Sequence, residues 1–158
     1  MAERFTIRPA SAADQAFISD MQYEALFVPA GEPPFPRAIL DEPNIRRYHE
    51  GFGTVAGDTG VIAESFDRRP LGAAWVRFVV GFGFVDHDTP ELGIAVVASA
   101  RGTGVGSALL RQLFDVVERC SLSVDRRNRA IRLYERFGFV PIRVDGDHAT
   151  VMLREGVT

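Results

Sequence analysis

A chain of 158 residues, 46% of them hydrophobic, can bury one core, and that composition argues against long disorder. Its net charge of −3 offers no basic surplus for nucleic acid, no run reaches the ~18 apolar residues of a membrane span, and the N-terminus lacks the apolar stretch of a secretory signal. A single cysteine, Cys120, leaves no internal disulfide and no cysteine-cluster metal site, so the expectation is a cytoplasmic protein with no metal, no membrane and no nucleic-acid partner.

All eighteen basic residues are arginine. Without lysine there is no Walker phosphate loop, whose ammonium reaches the terminal phosphates. Schiff-base chemistry through a lysine amine is also excluded.

In chain order, Phe5-Thr6-Ile7-Arg8 alternates as a half-buried strand does. Ser11-Ala12-Ala13-Asp14 reads as a capping box opening a helix whose inward face is Phe17, Ile18, Met21 and Ala25. Prolines and a glycine make 27–35 a loop. Pro43 stands near the start of a short helix from about Asn44 to His49. Thr59 to Ser65 and Leu71 to Val80 read as strands joined by a hairpin turn at 66–69, and 81–90 as a loop. Glu91 to Val97 is a buried strand, and Leu109, Leu110, Leu113, Phe114, Val116 and Val117 mark a helix to about Arg119. Leu122-Ser123-Val124 is a short strand. A second helix carries Ala130, Ile131, Leu133, Tyr134 and Phe137 and stops at Gly138. Phe139 to Val144 and Ala149 to Arg154 are the last strands, around a tight turn at 145–147. Three successive strands without helices predict a mixed sheet, mainly antiparallel, flanked by helices: an α/β domain over 1–158.

The most informative segment is Arg101-Gly102-Thr103-Gly104-Val105-Gly106-Ser107, between the buried strand and its helix. Glycines let backbone N–H groups converge, and a helix start adds unpaired donors and a positive dipole end. Together they suit phosphate groups, and Arg101 adds a permanent cation. A dinucleotide fingerprint, G-x-G-x-x-G, fails in either register, because Ser107 or Leu109 stands at its last position. Asp125 near the ribose-binding offset is a single coincidence. A tight turn without a ligand, and glycines that merely allow close helix–strand packing, remain open at this level.

Arg101 to Gly106 matches the R/Q-x-x-G-x-G/A signature of the GNAT superfamily of N-acetyltransferases. Asn128-Arg129-Ala130-Ile131-Arg132-Leu133-Tyr134-Glu135-Arg136-Phe137-Gly138-Phe139 is similar to that family's N-x-A-x-x-x-Y-x-x-x-G-F segment. The two occur in family order, and the order of strands and helices resembles the GNAT fold from Phe5 to Arg154. The resemblance implies an acetyl-CoA-dependent transferase acting on a primary amine. By that resemblance, Ile94, Ala95 and Val96 pair with the pantetheine arm, and the strand end splays from 122–124 to admit the thioester. The backbone of Arg101, Gly102, Thr103, Gly104, Val105, Gly106 and Ser107 holds the pyrophosphate. Asn128 contacts the cofactor arm, and Tyr134 protonates the departing thiolate.

Each of those residues has a plainer reading. Tyr134 shares a helical stripe with Ile131 and Phe137, where an aromatic is usually core. Asn128 alone is a helix N-cap. Glu91, where many relatives carry a catalytic Glu, is either the general base or a solvated strand end after Pro90. Asp86, His87 and Asp88 are candidates for holding a cationic acceptor or relaying a proton. Some relatives place a Glu on the strand before the Asn; 121–125 has none. Few residues separate a helix ending near Arg119 from a strand at Leu122.

The loop 27–35, Ile45, Tyr48, Trp75 and Phe84 are candidates to line an acceptor pocket and equally good core residues, with core favoured for Trp75. Arg37, Arg46 and Arg47 suit an anionic acceptor; Asp86, Asp88 and Glu91 suit a cationic one. Cys120, near a helix end behind the glycine turn, is not expected to carry an acyl group. A non-catalytic acyl-CoA-binding module is the alternative function, and relatives are often homodimers.

Overall fold

Seven strands hydrogen-bond into one sheet in the computed structural model, which describes residues 4–156. Met1 to Glu3 and the last two residues of the expected domain lie outside the described residues. The strands are β1 (Phe5–Pro9), β2 (Thr59–Ser65), β3 (Pro70–Arg77), β4 (Glu91–Val96), β5 (Cys120–Asp125), β6 (Val140–Asp145) and β7 (Ala149–Arg154). Their order is β1-β2-β3-β4-β5-β7-β6, antiparallel at every junction except β4–β5. This is the mixed, mainly antiparallel sheet that the sequence predicts.

Four helices flank it: α1 (Gln15–Ala25), α2 (Pro43–Arg46), α3 (Val105–Leu113) and α4 (Ala130–Arg136). Alternation along β2 and β3 divides the core in two. Ile62, Ala73 and Trp75 pack with Ile18 and Met21 of α1 on one face. Val61, Ala63, Ala74 and Val76 pack with Leu109, Leu110 and Leu113 of α3 on the other. The expected capping box forms: Ser11 Oγ accepts from the Ala13 N–H, and Asp14 accepts from the Ser11 N–H. Among the described residues no helix is long and apolar enough to cross a membrane.

Several boundaries differ from expectation: α2 ends at Arg46 rather than His49, β6 is shifted by one residue to Val140–Asp145, and three others shape the sheet and the site. Helix α3 ends at Leu113, not near Arg119, because the amides of Val116 and Val117 both turn back to the Leu113 carbonyl. That early end supplies the connection the sequence appeared to lack, and β5 begins two residues sooner, at Cys120. Strand β3 stops at Arg77, whose guanidinium is buried on Asp58. Phe78 and Val80 continue the apolar run but stand half exposed outside the sheet. An apolar run alone does not separate a strand from an apolar loop.

Candidate active site

The parallel junction is where the sheet opens. Strands β4 and β5 are paired only at Glu91 and Ser121, then diverge. The β5-side edge of β4 is therefore left open beyond Glu91, and backbone groups that point that way have no strand partner. Two hollows occupy the wedge. A cleft of about 890 Å³ runs along Ile94, Ala95 and Val96, with Leu26 to Ala30 on its other side. A chamber of about 200 Å³ lies deeper, against Glu91, Tyr48 and Gln22. Ile94, Asn128 and Tyr134 line both.

At the far end of β4 a short 3-10 turn, Ala98–Ala100, leads into the glycine turn. Gly102 and Gly104 adopt positive φ, 76° and 89°, and a Cβ on either would meet nothing. Their requirement is conformational, not one of close packing. Ala108 donates the first hydrogen bond of α3, to the Gly104 carbonyl, so the amides ahead of it have no helical acceptor. A shallow hollow of about 360 Å³ covers this turn, lined by Arg101, Gly102, Gly104, Gly106 and Ser107, with Arg136 from α4 opposite. Thr103 turns its hydroxyl to the Ala100 carbonyl. Arg101 is half exposed, donating to the Val96 carbonyl at 3.0 Å and to Glu24 at 2.9 Å.

The core reading of Tyr134 is half right. Its ring packs edge-on against Phe139, with centroids 5.7 Å apart. Its hydroxyl makes no hydrogen bond among the described residues, although only 9% of the residue is exposed. Burial pushes that hydroxyl up to about 12, so it keeps its proton. Asn128 is a cap: its Oδ1 accepts from the Ala130 N–H at 2.9 Å. Its side-chain NH₂ is not used in that bond.

Glu91 is not a solvated strand end. It is 2% exposed, and its carboxylate accepts from the Tyr48 hydroxyl, the Gly83 N–H and the Gly81 N–H, each at 2.7 Å. Tyr48 in turn accepts from the Phe82 N–H at 2.7 Å. Its hydroxyl titrates well above the usual tyrosine range, first through burial and then through the Glu91 charge. The loop can come this close because it is glycine. A Cβ on Gly81 would lie 2.1 Å from Tyr48 Oη, and one on Gly83 would lie 2.7 Å from the Leu122 backbone. Trp75 is core, the reading favoured from the sequence, and its indole N–H donates to the Tyr48 carbonyl at 2.8 Å.

Several candidates lie elsewhere. Phe84 stacks edge-on with His87, and Phe82 takes the place at the chamber wall. Asp86 accepts from Thr89 and pairs with Arg119, away from both hollows; Asp88 and His87 line neither. Arg37 pairs with Asp20, Arg46 with Glu50, and Arg47 donates to the Pro43 and Val80 carbonyls. None of the three arginines lines the wedge, so the anionic-acceptor alternative gains no support from them. Cys120 is buried, and burial pushes its thiol up to about 12. Sequence reading missed Gln22 and Arg136. A glutamine one turn after Ile18, on an apolar stripe, is the signal for the first.

Comparison with known proteins accords with this architecture. The family model described as the acetyltransferase (GNAT) domain matches residues 70–141. A PaiA N-acetyltransferase from Thermoplasma acidophilum, in complex with coenzyme A, superposes with a TM-score of 0.68 at 16% identity, over 96% of this chain and 99% of that one. A protein provisionally assigned as a phosphinothricin N-acetyltransferase gives 0.66 at 19% identity, over 96% and 98%. The dodecameric spermidine N-acetyltransferase of Vibrio cholerae gives 0.58 at 18% identity, over 96% and 93%. No curated protein matches the sequence. The chain has the GNAT acetyltransferase fold, and the resemblance read from its two motifs is borne out.

Proposed function

We propose that the chain is an acetyl-CoA-dependent N-acetyltransferase acting on a primary amine, with both substrates bound at once. The observation that carries this reading is the position of Tyr134. Tyr134 lines both the larger cleft and the inner chamber, and its protonated hydroxyl has no hydrogen-bond partner among the described residues. The cleft, the open edge of β4 and the glycine turn fit a long phosphate-bearing thioester, and the coenzyme A complex of the Thermoplasma relative supports that fit.

Acetyl-CoA supplies an activated acyl group. The amides of 102–107 and Arg136 hold its phosphates, since the Arg101 N–H already serves the Ala98 carbonyl. The free edge at Ile94 and Ala95 pairs with the arm and polarises the carbonyl; the Val96 carbonyl already serves Arg101. Asn128 directs its NH₂ at the same arm. As the amine nitrogen bonds to the acyl carbon and the carbon–sulfur bond breaks, one proton leaves nitrogen for water and CoA departs as the thiolate, which takes a proton from solvent. Tyr134 acts at the sulfur. A free thiol titrates near ~8.5 and Tyr134 near 12, so full transfer from the phenol is uphill. Its role is a hydrogen bond that steadies the thiolate.

Glu91 acts on the amine side. Its carboxylate accepts three hydrogen bonds, which leaves roughly one of its four acceptor positions open. That position suits a water through which the amine loses its proton. The test is thiol release from acetyl-CoA with a panel of primary amines. Turnover by the wild type and its loss in Tyr134→Phe, with CoA binding kept, support the reading. CoA binding without turnover on any amine gives the non-catalytic module instead.

A further inference from the structure

Gln22 lies on the inward stripe of α1 and is 7% exposed. A buried carboxamide ordinarily finds partners for its two donors and its acceptor. Gln22 finds none among the described residues. Every side-chain nitrogen or oxygen without accessible surface has a partner in this structure. The Gln22 amide therefore keeps some accessible surface, and the inner chamber it lines is where it has it.

Among the chamber's other polar groups, the Tyr134 hydroxyl and the Asn128 NH₂ belong to the cofactor in the proposed reaction and the Ser123 hydroxyl makes no hydrogen bond among the described residues; the charged groups are committed. Glu91 accepts three hydrogen bonds, and the Tyr48 hydroxyl both donates and accepts. Asp125 holds Arg127 through both oxygens, at 2.9 and 2.7 Å. No uncommitted cation and no wholly open carboxylate faces the chamber among the described residues. Its remaining wall is mostly apolar, with Leu26, Phe27, Ile45, Phe82 and Leu122. Its volume of about 200 Å³ equals about seven waters.

Resting on the proposed acyltransferase reading, we infer that Gln22 selects the acceptor. The chamber takes a compact primary amine whose second polar group is a neutral amide, and it discriminates against the matching carboxylic acid. A carboxamide presents a donor and an acceptor side by side, so it pairs at two points with another amide. A carboxylate in that place is desolvated with no cation to meet it. A second ammonium, as on a polyamine, finds no free carboxylate.

The probes are leucinamide, leucine and 3-methylbutylamine, which share one apolar body, with spermidine as a fourth. Each is added to the full chain saturated with CoA, and the side-chain amide signals of Gln22 are followed by NMR. Thiol release from acetyl-CoA is measured in parallel. Leucinamide is expected to move the Gln22 signals, and its kcat/KM is expected to exceed those of the other three by roughly tenfold or more. In Gln22→Leu its advantage over 3-methylbutylamine falls to within about twofold, mainly through KM. Gln22→Glu, which opens a carboxylate, moves the preference toward spermidine. Wild-type preference for leucine or spermidine, unmoved Gln22 signals with leucinamide, or an unchanged ratio in Gln22→Leu overturns the assignment. Thermal midpoints with CoA on the same samples separate the two claims. No CoA shift in the wild type removes the acyltransferase reading; a shift accompanied by any of the contrary results removes only the role of Gln22. Should Gln22→Leu fail to fold, the wild-type series and Gln22→Glu decide.

Discussion

Tyr134 and Glu91 face one wedge. Burial keeps the proton on the Tyr134 phenol, and three donors fix the position of the Glu91 carboxylate. Tyr134→Phe removes only the hydroxyl. We expect turnover to fall by at least about tenfold, the scale of one lost charge-assisted hydrogen bond, with CoA affinity within about twofold. Unchanged turnover takes Tyr134 out of the mechanism. Glu91→Gln is a sharper perturbation than its size suggests. The new NH₂ turns one donor against the donors of Gly81, Gly83 or Tyr48 and leaves a buried group unpaired. Stability should fall by about 1–3 kcal/mol, read by denaturant midpoint, and thiol release should fall with it. An unchanged midpoint means that the clamp on the carboxylate contributes little.

At the scale of elements, the loop 78–90 belongs to the site as much as β4 does, because its backbone clamps Glu91. Gly81→Ala forces the loop away from Tyr48 Oη. The expected result is lost turnover with CoA binding retained; full turnover would show that the loop does not position Glu91. Gly104→Ala makes the opposite split. A Cβ there meets no neighbour, but φ of 89° is strained for alanine by roughly 1–2 kcal/mol. Affinity for CoA should fall while the chamber is untouched. What was legible in the sequence follows the same division. The glycine turn was readable because local chemistry carries it, whereas Asn128 and Tyr134 read locally as a cap and a core aromatic and became site candidates only through the family resemblance. The clamp on Glu91 joins residues 48, 81, 83 and 91, which only the sheet brings together. Gln22 was hidden because α1 reads as an ordinary amphipathic helix until its polar member proves unpaired. The early end of α3 was set by the span back to β5, not by propensity.

Among the described residues, burial holds the Cys120, Tyr134 and Tyr48 groups neutral. Cys120 and Tyr134 are pushed up to about 12, and Tyr48 is raised further. A raised native value means the unfolded chain releases its proton first. The stability these groups contribute is complete below their ordinary values, near ~8.5 for a thiol and ~10 for a phenol, and is lost as pH climbs toward the native ones. Unfolding midpoints should therefore decline between about pH 9 and 12, and Tyr48→Phe should flatten the upper part of the decline. A midpoint independent of pH across that window would mean these groups are hydrated in solution. The wedge between β4 and β5 is the other whole-molecule property, since the core on each face of the sheet holds one of its walls. Its most direct test is the thermal midpoint with and without saturating CoA. At a hundredfold excess over Kd, about 2.7 kcal/mol of added stability corresponds to roughly 5–10 °C for a chain of this size. That shift with CoA and acetyl-CoA, and none with NAD or NADP, is the result this account predicts; no shift with CoA at saturation would contradict it.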